Sequence, residues 1–263
     1  MVSIPLPDPK PPLPNPFDMS GKVVILTGAS SGLGRRFARA LSASGASVVL
    51  AARRVERLES LASELPDALA VPCDLTAPGA PSELVSATLQ RWGKIDVVVN
   101  NAGISRVLSA LDDDLDGFRN ELEINLVAPY ELARQAARHM VQAGGGSVIN
   151  VGSVLGGVGG GRLKVPGYAA AKGGLHNLTR ELASQWARSK VRVNTVAPGW
   201  FETEMNDQMF ATDAGMRYII DNTPMARPGV EGELDGALLF LASDASTYVT
   251  GQVIYVDGGW TAV

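Results

Sequence analysis

An α/β fold, in the form of a doubly wound and mostly parallel seven-stranded sheet with helices on both faces, is predicted by three observations on this 263-residue sequence. Seven short runs rich in Val and Ile recur from Gly21 onward, helix-like stretches separate them, and the runs are mostly continuous in hydrophobicity instead of alternating. Strand and helix alternation argues for parallel βαβ units. Continuous apolar runs are what strands need when helices cover both faces.

In chain order the runs are "KVVILTG" (22–28), "ASVVLAAR" (46–53), "ALAVPCD" (68–74), "KIDVVVNN" (94–101), "GSVINVGS" (146–153), "VRVNTVAPG" (191–199) and "QVIYVDGG" (252–259). Between them "GRRFARALSASG" (34–45), "RRVERLESLASEL" (53–65), "ELVSATLQRW" (83–92) and "RELASQWARS" (180–189) read as helices, and "ELEINLVAPYELARQAARHM" (121–140) as one long amphipathic helix. Gly144 to Gly146 form a helix stop before the fifth strand. No repeat or low-complexity linker interrupts residues 19–263, which read as one domain. Residues 1–18 hold seven of the sixteen prolines, so they are expected to form an extended arm draped outside the core, a ligand for a partner being the alternative.

Composition narrows the function. With 46% hydrophobic residues the chain buries a large core, and a net charge of -4 with thinly spread Lys and Arg gives no footprint for nucleic acid. Cys73 is the only cysteine and His139 and His176 the only histidines, so no disulfide or metal cluster is expected and a reducing cytoplasm fits best. No apolar run approaches the ~20 residues that span a bilayer, and the N-terminus has no signal-peptide pattern, so no membrane partner is expected.

"TGASSGLG" (27–34) follows the first strand and opens a helix. In that context Gly28, Gly32 and Gly34, with Ser30, Ser31 and Leu33 between them, let backbone amides approach a pyrophosphate, and the helix N-terminus adds partial positive charge. A plain tight turn is the alternative. The second strand ends in "VVLAARR" (48–54), where Ala52 stands in the place of the carboxylate that would grip a ribose 2′-hydroxyl. Arg53 and Arg54 follow. Guanidinium groups suit a 2′-phosphate, which favours NADP(H) over NAD(H), although both could be solvated residues at a helix start. At the next two strand ends Asp74 and Leu75 are placed to meet an adenine, while Asn100, Asn101, Ala102 and Gly103 offer amides and close backbone approach.

"TGASSGLG", "NNAG" (100–103), "YAAAK" (168–172) and "PGWFET" (198–203), in this order, resemble the motifs of the short-chain dehydrogenase/reductase family over about residues 19–263. The resemblance implies a single Rossmann-type domain that transfers hydride between a nicotinamide cofactor and a carbonyl or alcohol. It implies Asn125, Ser153, Tyr168 and Lys172 as the catalytic residues. It also implies that Pro198, Gly199, Phe201 and Thr203 meet the nicotinamide, with Tyr168 and Lys172 contacting the cofactor too.

The chemistry is consistent with these residue types. A phenol with pKa ~10 is a poor base at neutral pH, but Lys172 stands four residues after Tyr168 on a predicted helix, and an ammonium one turn away would favour the phenolate. Ser153 would donate to the substrate carbonyl. Six glycines lie between Ser153 and Tyr168, a loop somewhat longer than the family usually has, expected to be compliant and to fold Tyr168 back opposite Ser153. Pro129 has no N–H for the carbonyl of Asn125, leaving that carbonyl to hold a water in the family's proposed proton relay.

Gly173 and Gly174 suggest close packing against another backbone, a neighbouring helix of this chain or of a second subunit, and the resemblance implies a homo-oligomer, a tetramer or dimer. His139 and His176 are assigned to helix surfaces or an interface, and Cys73 to apolar packing beside the sheet. Residues 200–224 stand where the family carries a substrate lid. Met205, Met209, Phe210, Met216 and Tyr218 either line it as an apolar wall or pack it onto the body. The substrate is a small carbonyl or alcohol compound, with an apolar or ring-bearing ketone preferred and an acyl-thioester or sugar ketone open. An NAD-dependent dehydrogenase and a nucleotide sensor without turnover are the competing readings.

Overall fold

The computed structural model describes residues 15–263; most of the predicted proline-rich arm, residues 1–14, lies outside the described residues. All seven predicted strands form: β1 Val23–Thr27, β2 Ser47–Ala52, β3 Ala68–Pro72, β4 Val97–Asn100, β5 Gly146–Val151, β6 Val191–Pro198 and β7 Val253–Val256. They make one sheet in the order β3-β2-β1-β4-β5-β6-β7, and every pair is parallel. The chain winds outward from β1 to β3, then returns to the other side of β1 for β4. That reversal opens a crevice beyond the carboxyl ends of β1 and β4, where both glycine-bearing motifs emerge.

The core lies on both faces, as continuous apolar strands require. Val24 and Leu26 of β1 and Val97 and Val99 of β4 pack with Phe37 and Leu41 of α1 (Gly32–Ala43), Leu58 and Leu61 of α2 (Val55–Glu64) and Leu238 and Leu241 near the chain's end. Ile25 and Val98 point the other way, onto Leu84 of α3 (Ala80–Trp92), Leu132 and Met140 further along and Leu182 of a long helix described below. Each such fully buried side chain contributes about 1.5–3 kcal/mol.

The predicted long helix over 121–140 is interrupted. It consists of α4 (Leu115–Leu122), a π turn (Glu123–Val127) and α5 (Ala128–Ala143), and in the π turn the Ala128 N–H reaches back five residues to the Glu123 carbonyl. Pro129 has no N–H to offer the Asn125 carbonyl, and the wider turn absorbs that missing bond. At the far end Gly144 stops α5 with φ +93°, as predicted, and Gly146 already belongs to β5.

The helix that matters most is α6, Pro166–Trp186, which starts with proline in its first turn, where a missing N–H does no harm. Gly173 and Gly174 in it have near neighbours inside this chain: a Cβ on Gly173 would stand 3.6 Å from the Gly156 carbonyl, and one on Gly174 3.0 Å from Leu126. Gly173 thus makes an ordinary contact with the loop after β5, and Gly174 a tight one with a side chain of the π turn where a second backbone was expected. After β6 come α7 (Asp207–Phe210) and α8 (Asp213–Asn222), and α9 (Asp235–Ala242) precedes β7.

Candidate active site

A cleft of about 660 Å³ opens at the carboxyl edge of the sheet. Gly28, Ser30, Ser31, Gly32, Leu33 and Gly34 line it from the first turn, and Arg53, Arg54, Asp74 and Leu75 from the next two strand ends. Asn101, Ala102 and Gly103, then Ser153, Tyr168 and Lys172, then Pro198, Gly199, Phe201 and Thr203 complete it. Asn125, expected among the catalytic residues, is absent from its wall. It lies buried behind, where its Nδ2 donates to the Ile104 carbonyl (2.9 Å) and its Oδ1 accepts the Ile104 N–H (3.2 Å), fixing the strip of chain beside Gly103.

The glycine turn is closed against its neighbours. Gly28 has φ +67°, and a Cβ on it would stand 2.8 Å from the Ala102 Cα. A Cβ on Gly34 would collide with the Gly28 carbonyl. Asn101 holds the turn from the side, donating Nδ2 to the Thr27 carbonyl (2.9 Å) and the Gly28 carbonyl (3.3 Å). Its neighbour Asn100, expected at the ligand edge, is instead buried in the sheet, donating to the Asn150 side chain (2.9 Å) and the Pro129 carbonyl (3.1 Å). Strand alternation turns these two adjacent side chains to opposite sides.

At the arginine end, Arg53 and Arg54 are both exposed. Arg54 donates Nε to Ser30 Oγ (3.1 Å) and Nη1 to Glu204 (2.8 Å), and Arg57 reaches the other oxygen of Glu204 (2.6 Å). The two guanidinium groups hold the Glu204 carboxyl below the usual carboxylate range. Asp74 accepts from the Thr76 hydroxyl (2.8 Å) and N–H (3.1 Å), which, with a smaller effect of Arg53, lowers its pKa. Glu204 and Arg57 were not legible as site residues; the only signal was an acidic residue immediately after "PGWFET".

At the other end, Tyr168, Ser153 and Lys172 converge. The glycine-rich loop folds back as expected, through short turns at Val154–Gly156 and Gly161–Leu163. Two of its glycines pack instead of flexing: a Cβ on Gly156 would stand 2.6 Å from the His176 ring and 2.7 Å from the Lys172 carbonyl, and one on Gly157 would collide with Tyr255. Burial pushes the Tyr168 phenol up; hydrogen bonding to Ser153 opposes this, and the Glu121 charge adds to it. The Lys172 ammonium lies 5.5 Å from the Tyr168 ring centre and donates to the Val151 carbonyl (2.7 Å), and burial brings its pKa down to about 8.

His176 also corrects the sequence reading. It is 2% exposed, one turn past Lys172 on the buried face of α6, edge-on to Tyr255 with 6.0 Å between ring centres. Burial foremost, then the charges of Lys172 and Arg180, lowers it to about 4. His139 is half-buried on α5, and Cys73 packs against the core, its thiol pushed up to about 11 by burial. In the expected lid only Met205 of the five named residues reaches the cleft. Tyr218 packs edge-on to Trp200 and 5.8 Å from Trp260, which favours the packing alternative for it. Thr203 gives its hydroxyl to Asn206 Oδ1 (3.0 Å).

One buried acid went unnoticed in the sequence. Glu121 stands one helical turn before Asn125, on the same face, and is 1% exposed. Its position on an otherwise inward-facing stripe was the available signal.

A family model described as "Enoyl-(Acyl carrier protein) reductase" matches residues 28–261. Galactitol 2-dehydrogenase (L-tagatose-forming) of Cereibacter sphaeroides is 38% identical over 247 residues, covering 93% of this chain and 97% of that protein. The 2-dehydro-3-deoxy-D-gluconate 5-dehydrogenase of Dickeya dadantii (strain 3937) is 34% identical over 251 residues, covering 94% and 98%. A crystal structure of a gluconate 5-dehydrogenase from Burkholderia cenocepacia J2315, in complex with NADP and tartrate, matches with TM-score 0.89 at 34% identity, covering 94% of this chain and 98% of that one.

Proposed function

The chain belongs to the short-chain dehydrogenase/reductase family, and on that footing we propose that it moves a hydride between NADP(H) and a ketone or secondary alcohol of a sugar acid or polyol, with Tyr168 as general acid and base. The reading is carried by the meeting of Ser153, Tyr168 and Lys172 at one end of a cleft whose other end is the glycine turn. The backbone approach of Gly28 and Gly34, with the exposed cations Arg53 and Arg54 beyond, suits a dinucleotide bearing a 2′-phosphate.

In this reading the nicotinamide supplies or takes the hydride. Ser153 holds the carbonyl oxygen of the substrate by a hydrogen bond, and Tyr168 delivers a proton to that oxygen as negative charge develops on it. Burial raises the phenol's pKa and so favours its proton-donating form. Lys172 is the residue that would hold the nicotinamide ribose and steady the negative phenolate once the proton has left. Asn125 fixes the Ile104 strip behind them.

The named relatives act on sugar acids or a polyol, and only Met205 of the supposed apolar wall meets the cleft, so a hydroxylated ketone replaces the apolar ketone as the preferred substrate. A dimer or tetramer remains our expectation, checked by sedimentation. An NAD(H)-dependent enzyme working in the oxidative direction is the second reading, favoured by Glu204, which already neutralises part of the charge on Arg54 and Arg57. Assaying NADPH and NADH with 5-keto-D-gluconate, related keto sugar acids and L-tagatose separates these. NADPH-dependent reduction is expected; tight cofactor binding with no turnover of any pair would favour the nucleotide sensor.

A further inference from the structure

Glu121 is a carboxylate that the reaction as described does not use, yet two parts of the site rest on its side chain and a third on its backbone. Its Oε1 accepts the Arg106 N–H at 2.9 Å, fixing the far end of the Ile104 strip that forms one wall of the cleft. Its backbone carbonyl accepts Asn125 Nδ2 at 2.9 Å. Its Oε2 is buried, has no hydrogen-bond donor among the described residues and lies against Gly167 at the start of α6, the residue before Tyr168. Only glycine fits there: a Cβ at 167 would collide with Oε2 and stand 3.1 Å from Cδ. A buried carboxylate oxygen without a donor is among the most expensive groups to keep in a fold, and an apolar side chain would fill the same space without that penalty.

We propose that Glu121 is a positioning residue for the reaction, tying the Ile104 strip to the first turn of the helix that carries Tyr168 and setting, through its negative charge, the pH range over which the phenol works. The inference rests on the role proposed above for Tyr168. The groups facing the phenol are the Ser153 hydroxyl from the end of β5, Lys172 from its own helix and Glu121 from α4. Those facing Glu121 are Arg106 and Asp113 from the loop after β4, and Gly167 and Tyr168 from α6. Burial foremost, with a smaller push from the Asp113 charge, raises the Glu121 carboxyl, while the Arg106 N–H and guanidinium oppose that rise. A negative charge beside a phenol disfavours the phenolate. Glu121 therefore acts in the same direction as burial and favours the proton-donating form.

The test is a pH titration of tyrosinate absorbance in wild type, Glu121→Gln and Glu121→Asp, each compared with the same protein carrying Tyr168→Phe, so that only the Tyr168 contribution remains. The same proteins are assayed for NADPH-dependent reduction of 5-keto-D-gluconate against pH. In Glu121→Gln, which keeps the shape and the acceptor for Arg106, the Tyr168 titration and the alkaline limb of turnover both move to lower pH. Glu121→Asp restores the wild-type titration while raising KM, because the charge is kept and the tie to the strip is shortened. A Tyr168 titration unchanged in Glu121→Gln overturns the inference. A titration that moves while Tyr168→Phe still turns over at the wild-type rate overturns instead the role given to Tyr168.

Discussion

The two ends of the cleft hold charge in opposite ways. At the arginine end Arg53, Arg54, Arg57 and Glu204 are all exposed, and their pairs face water. At the tyrosine end Glu121, Lys172 and His176 are buried, between 1% and 3% exposed. Exposed pairs of this kind are worth about 0–1 kcal/mol and are screened by salt, so they can exchange one partner for another. Buried groups are held by fixed neighbours, Glu121 by the Arg106 N–H and Lys172 by the Val151 carbonyl, and no solvent stands ready to replace them. One end is therefore suited to choosing a cofactor reversibly, the other to holding proton chemistry in a fixed field.

The sharpest way to break this contrast is at the buried end. Lys172→Met is expected to lower turnover by on the order of a hundredfold or more, measured by steady-state kinetics at saturating NADPH, while Arg54→Ala leaves saturated turnover close to wild type. Gly34→Ala comes next: its methyl group meets the Gly28 carbonyl, and such overpacking costs about 1–3 kcal/mol, read by urea denaturation together with weakened NADPH binding.

His176 gives a pH signature that the arginine end cannot produce. Its folded pKa, about 4, lies below its ordinary 6.5, so the unfolded chain binds the proton first as pH falls. The stability from this group is complete above 6.5 and is lost progressively toward 4, with a slope of at most about 1.4 kcal/mol per pH unit. Thermal melts across that window are expected to show this component in wild type and not in His176→Leu. The smallest effects belong to the exposed end. Arg53→Ala is expected to weaken NADPH on the order of tenfold and leave NADH unchanged. Glu204→Gln, which frees Arg54 and Arg57, strengthens NADPH by no more than about fivefold and steepens its salt dependence; equal affinities for both cofactors, unchanged in Arg53→Ala, remove the 2′-phosphate assignment.

The same contrast decides what was legible in the sequence. All seven strands follow from apolar runs, because continuous hydrophobicity is a property of each segment alone, and the glycine turn follows from its place between strand and helix. The residues lining the glycine and arginine end of the cleft could be read because they cluster at strand ends, which the fold brings to one edge. The tyrosine end depends on contacts between distant segments. That Gly167 makes room for Glu121, and Gly156 for His176, cannot be read from local pattern, so the loop looked compliant and the histidine looked superficial. Pro129 did signal a lost hydrogen bond, but the π turn that absorbs it is a collective adjustment of the helix. Lys172 showed its spacing from Tyr168 and not its burial, which depends on the segments that pack around it.

The central claim, that Tyr168 passes the proton in a hydride transfer run from this cleft, is tested most directly by comparing wild type and Tyr168→Phe for NADPH binding by fluorescence and for ketone-dependent NADPH oxidation in the same preparation. The account predicts that the variant binds NADPH as tightly as wild type and loses turnover by on the order of a hundredfold to ten-thousandfold. Turnover at the wild-type rate in Tyr168→Phe would contradict it.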